Sequence, residues 1–102
     1  MFIVIWEYII TASRKSEFEK IYGPDGDWVL LFRIDRDYLG TELLRDLENP
    51  NRYITIDRWT SSAAFDSFHE KYRLDYEAID ARCEHLTERE TQLGRCSFVV
   101  SF

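Results

Sequence analysis

The 102-residue chain carries 13 Lys and Arg against 19 Asp and Glu, for a formal net charge of -6. That balance argues against nucleic acid and anionic membrane surfaces as partners and favours a neutral, aromatic or weakly charged small ligand. With 45% hydrophobic and 16% aromatic residues, the length predicts one domain over residues 1–102 with a real core. A domain this small gains buried surface by dimerising.

Residues 2–11 read as a strand, rich in β-branched and aromatic side chains. Phe2, Val4, Trp6, Tyr8 and Ile10 share one face; Ile3, Ile5, Glu7 and Ile9 share the other. A strand apolar on both faces is covered on both, by helices on one side and a partner chain on the other. The N-terminal run is short, is interrupted by Glu7 and has no basic leader, so it reads as a strand and not a signal peptide. No run approaches membrane-spanning length, and cytoplasm is the expected compartment.

Ser13 opens a short helix whose inner face is Phe18, Ile21 and Tyr22, with Glu17 near the capping-box position. Gly23-Pro24-Asp25-Gly26 is a stop and turn. Residues 27–32 form either a further helical turn led by Asp27, with Trp28, Leu31 and Phe32 inward, or a strand. Residues 38–47 predict a second strand, with Gly40 allowing a bulge, and residues 52–59 a third, antiparallel to it. Phe65, Phe68, Tyr72, Tyr76, Ile79, Cys83 and Leu86 then recur at helical spacing. Ser61 or Ser62 caps this long helix; a break is expected near Leu74 and Asp75, and Gly94 ends it. Residues 96–102 alternate as a final strand. The order β-α-β-β-α-β predicts an α+β, ferredoxin-like antiparallel sheet with helices on one face, its other face closed by a homodimer.

Cys83 and Cys96 are too few for a disulfide framework, and Cys83 lies on the helix stripe as a buried thiol. There is no CxxC, zinc spacing, phosphate loop or nucleophile elbow, so neither a metal nor a cofactor is expected. Among titratable groups, His69 suits acid–base work on a phenol, or is a packing histidine at the stripe edge. His85, beside Glu84 and Glu88, reads as solvated. Glu7 is a carboxylate in an apolar strand, either an ion pair with Arg33, Arg45 or Arg58 or a base of raised pKa. Trp59, Phe65, Phe68, Tyr72, Trp28 and Phe32 belong to an aromatic set that either packs a core or stacks a flat ligand. Arg58 and Arg33 are candidates to hold an anion. Glu70, Lys71, Glu77, Asp80, Glu88 and Glu90 fall off the stripe and read as a solvated face.

Trp6-Glu7-Tyr8 in the opening strand, Phe18 to Tyr22, Tyr38-Leu39-Gly40-Thr41-Glu42-Leu43 and above all Trp59-x-Ser61-x-x-Ala64-Phe65-x-x-Phe68 resemble the antibiotic biosynthesis monooxygenase superfamily of dimeric α/β-barrel domains. The resemblance spans nearly the whole chain and implies that fold and a homodimer. Its members oxidise polycyclic aromatics with oxygen and no cofactor, degrade haem or act on quinols, and many have no known activity. The haem degraders use an asparagine on strand one, a tryptophan on the long helix and a histidine further along. Ile5 or Glu7, Phe68 and Ala78 stand at those places, which argues against haem degradation. The resemblance therefore implies a cofactor-independent monooxygenase acting on a phenolic, quinol or polycyclic aromatic molecule, with His69 or Glu7 as base. The alternatives are a non-catalytic ligand-binding or structural homodimer of the same fold, and an isomerase or cyclase using the same base.

Overall fold

The computed structural model describes residues 1–102. Strand β1 (Phe2–Ile10) leads through a 3₁₀ turn at Ala12–Arg14 into α1 (Lys15–Tyr22) and α2 (Asp27–Phe32). Strands β2 (Tyr38–Arg45) and β3 (Arg52–Trp59) follow, then α3 (Ser62–Lys71), α4 (Arg73–Cys83), a 3₁₀ turn at Glu84–Leu86 and β4 (Thr87–Ser97). The four strands form one antiparallel sheet in the order β2-β3-β1-β4. This is the α+β, ferredoxin-like arrangement that the element order predicts. No helix is long and apolar enough to cross a membrane.

Strand alternation decides which side chains meet the helices. Phe2, Val4, Tyr8 and Ile10 of β1 and Tyr53, Thr55, Asp57 and Trp59 of β3 are buried on the helix-covered face. Phe18 and Tyr22 of α1 pack their rings on Tyr8, with Phe18 also on Tyr53; Phe32 of α2 and Phe65 and Phe68 of α3 pack on Trp59. On the opposite face, Ile3, Ile5, Ile9, Ile54 and Ile56 are only half-buried, and Leu44 is exposed. Gly40 takes the bulge in β2, with φ of 141°, a backbone conformation that penalises any Cβ.

Ser61 is the N-cap of α3, accepting from the Ala64 N–H at 3.1 Å. The Asp27 segment is helical, but Gly26 is its N-cap; Asp27 lies in the first turn and binds Arg82 at 2.7 Å. Likewise Ser13 caps nothing: the helix begins at Lys15, and Glu17 takes part in no capping box but meets His85 Nε2 at 2.9 Å. His85 is therefore paired. The long helix breaks at Tyr72, ahead of the expected Leu74.

The largest correction concerns the end of the helical stripe. Ile79, Cys83 and Leu86 are buried as the spacing requires, yet residues 87–97 form β4 and not a continuation of the helix to Gly94. The segment reads locally as helix because Glu, Arg, Gln and Leu favour helix and no apolar alternation is present. It becomes a strand because β1 has a free edge beside it, and an edge strand tolerates a polar sequence. Gly94 stands opposite Ile5, next to a bulge in the ladder. Residues 98–102, expected as a strand, have none, and Phe98, Val99, Val100 and Phe102 are exposed.

Candidate functional site

Between the sheet and the helices lies a cavity in two lobes. The first, of 140 Å³, is lined by twelve residues from seven elements, among them Trp6, Tyr8, Trp28, Phe32, Asp57 and Tyr76. The second, of 280 Å³, shares Trp6, Phe32, Asp57 and Tyr76 and adds Phe65, Asp66, His69, Gln92 and Arg95. The shared residues are the joint between the lobes.

Asp57 is the central polar group. It is nine-tenths buried and lines both lobes. Its Oδ1 accepts from the Thr41 hydroxyl at 2.6 Å, and Thr41 in turn accepts from the Tyr38 hydroxyl. No protein group donates to Oδ2. Loss of water pushes the Asp57 carboxyl up to about 6, and the Thr41 hydrogen bond only partly opposes that rise. A carboxylate near neutrality in a dry, aromatic-walled space is suited to taking a proton from carbon or oxygen. The sequence carried the signal for it. In Tyr53-Ile-Thr-Ile-Asp-Arg-Trp, Asp57 shares the phase of Tyr53, Thr55 and Trp59, which makes it an inward carboxylate.

His69 lies half-buried on the second lobe, its ring between Phe65 and Tyr76 at 4.4 Å from each centroid. Desolvation lowers its pKa, which Asp66 opposes and Arg95 reinforces, and so favours the neutral imidazole. Arg95 binds Asp66 at 2.8 Å and lies over the Phe2 and Phe65 rings.

The other expected site residues divide. Phe65, Trp28 and Phe32 line the cavity. Trp59 and Phe68 are fully packed in the core, and the Tyr72 ring packs at a tilt against Phe68, away from the lining. Arg58 points to the open face of the sheet and pairs with Glu42; Arg33 is exposed beside Asp25. Neither reaches the cavity. Glu7 is also on the open face, because Tyr8 and Trp6 take the inward phase of β1. Its partners are Arg52 at 2.7 Å and Arg89 at 3.9 Å, not Arg33, Arg45 or Arg58. Asp80 and Glu90 are exposed, as expected, but they also border the first lobe, and Glu90 belongs to β4, which places it beside Tyr8, and not to a helix.

Residues 35–72 match the family model described as antibiotic biosynthesis monooxygenase. The match spans β2, β3 and α3, and so includes Thr41, Asp57, Phe65 and His69. No curated protein matches the chain. Among solved structures, a variant of SnoaB, a cofactor-independent oxygenase from Streptomyces nogalater, is 17% identical with a TM-score of 0.67, over 98% of this chain and 94% of that one. A MhuD variant with two manganese protoporphyrin IX molecules per active site is 20% identical with a TM-score of 0.70, over 100% of this chain and 98% of that one. A NIPSNAP domain protein from Burkholderia xenovorans is 18% identical with a TM-score of 0.72, over 97% of this chain and 95% of that one. At these identities the three establish a common fold.

Proposed function

We propose that the protein is a cofactor-independent monooxygenase that oxidises a flat phenolic or quinol-like aromatic with molecular oxygen. The observation that carries this reading is Asp57, a buried carboxyl of raised pKa with one oxygen free of protein donors, at the joint of an aromatic-walled cavity. The match over residues 35–72 supports it. Asp57 takes a proton from an activated ring methylene. The resulting carbanion passes one electron to oxygen, and the two radicals couple to form a C–O bond. The peroxide is protonated; loss of the second methylene proton and cleavage of the O–O bond give a ketone and water, so CH₂ and O₂ become C=O and H₂O. Neutral His69 hydrogen-bonds the substrate oxygen in the second lobe, and Arg95 faces the negative charge that develops there. The protein supplies orientation, desolvation and proton transfer.

The test is saturable oxygen uptake above autoxidation with a panel of anthrones, naphthols and quinols, run beside Asp57→Asn and His69→Ala. No uptake across the panel, with panel compounds still quenching tryptophan fluorescence, would leave a ligand-binding protein without turnover. The rate is expected to rise with pH through about 6, as Asp57 ionises. Thr41→Val removes the hydrogen bond that favours the carboxylate and moves that acid limb upward in pH. An unmoved limb would assign it to another group.

The same reading includes a homodimer that covers the open sheet face. Ile3, Ile5, Ile9, Ile54 and Ile56 leave an apolar surface there in one chain. Sedimentation is expected to give a dimer at micromolar concentration, and Ile56→Lys a monomer, because the new ammonium would be desolvated at the centre of the interface. A parent chain that sediments as a monomer removes this part of the reading.

A further inference from the structure

The two lobes differ in charge. The first is lined by three carboxylates, Asp57, Asp80 and Glu90, and by no Lys, Arg or His. Neither Asp80 nor Glu90 lies within ion-pair distance of a cation, although the protein forms eleven such pairs elsewhere. Desolvation and the neighbouring Asp80 raise the Glu90 pKa. The rings of Trp6, Tyr8, Tyr22, Trp28, Phe32 and Tyr76 wall the same lobe. A further acceptor there lacks a protein donor: Oδ2 of the nine-tenths-buried Asp57. The second lobe holds the basic side chains, Arg95 and His69.

We infer that the first lobe seats a cationic amine on the substrate, with Asp80 and Glu90 as its counter-ions and the surrounding aromatic faces as its walls. An ammonium is attracted both by carboxylates and by the negative faces of aromatic rings, and the attraction grows as water is excluded. The substrate is then a flat aromatic with an amine at one end, in the first lobe, and a phenolic oxygen at the other, towards His69 and Arg95. Asp57 lies between the two ends at the reacting carbon. This inference rests on the oxygenase reading for its direction along the cavity, and it deepens that reading by naming the substrate's charge.

The experiment uses three probes with one ring system and three charges: anthracenemethylamine, anthracenemethanol and anthracenecarboxylate. Binding is read by quenching of tryptophan fluorescence, without turnover. The ammonium probe is expected to bind roughly tenfold tighter than the alcohol, and the carboxylate weaker than both. Asp80→Asn and Glu90→Gln should each erase part of that preference while leaving the alcohol's affinity unchanged. Added salt should narrow it, since both carboxylates are exposed to solvent. Equal binding of amine and alcohol would overturn the cation site and leave the aromatic cavity standing. A preference for the amine that survives both substitutions would overturn the assignment to Asp80 and Glu90. Failure of all three probes to bind would overturn the cavity reading itself.

Discussion

Asp57→Asn is expected to cut oxygen uptake by roughly a hundredfold or more, because the amide cannot accept the substrate proton. The same change is expected to stabilise the protein at about pH 8, by up to about 3 kcal/mol. The sign follows from the direction of the shift. Burial raises the folded carboxyl from 3.8 to about 6, so the folded state holds its proton more tightly than the unfolded chain does. The contribution of this group to stability is full below its unfolded pKa and is lost as pH rises through its folded one. Above that window the parent carries a buried carboxylate and the Asn variant does not. Urea unfolding of both proteins at about pH 4 and pH 8 checks this: the curves should nearly coincide at the lower pH and separate at the higher. A variant that is less stable at pH 8 would show that the carboxylate is stabilised by something other than Thr41. Gain of stability with loss of activity is what a residue retained for chemistry produces.

Trp59→Ala is expected to cost about 4 kcal/mol, enough to unfold much of a domain this small. Trp59 has no exposed surface, and its ring meets those of Phe32, Tyr38, Phe65 and Phe68. Four aromatic contacts cannot collapse into the space left behind. Trp59→Phe keeps most of that packing and should fold with a loss of about 1–2 kcal/mol. Its probe affinity should match the parent's, since Trp59 does not line the cavity. Chemical denaturation gives the stability and fluorescence titration the affinity. If Trp59→Phe folds as well as the parent but loses the ligand, then Trp59 is a binding residue after all.

The contrast between Asp57 and Glu7 shows how far strand phase can be followed. Both are carboxylates in apolar strands, and alternation alone sorts residues into two sets. In β3 the set containing Tyr53 and Trp59 is the more aromatic, and it faces the helices. In β1 the inward set, with Phe2, Trp6 and Tyr8, is again the more aromatic, but apart from Glu7 the other set is apolar too. Pairing Glu7 with Arg52 and Asp57 with Thr41 is decided only by assembling the sheet.

Local sequence determined the elements whose signal is contained within a few turns. The cap at Ser61 or Ser62, the Gly40 bulge, the β2–β3 hairpin and the apolar stripe from Phe65 to Leu86 are of this kind. Each depends on neighbours within the same segment, and together they determine the order β-α-β-β-α as far as Leu86. Only the tertiary structure decided the fate of residues 87–97 and the make-up of the cavity. The first depends on an empty edge of β1, which lies about eighty residues away in the chain and overrides a local helical preference. The second depends on that same pairing. Once β4 joins the sheet, Glu90, Gln92 and Arg95 turn inward and meet His69, Tyr76 and Asp80 from the helices. Charges that look solvated along a helix thereby become walls of a cavity, because a strand's alternation sends every second side chain to the covered face.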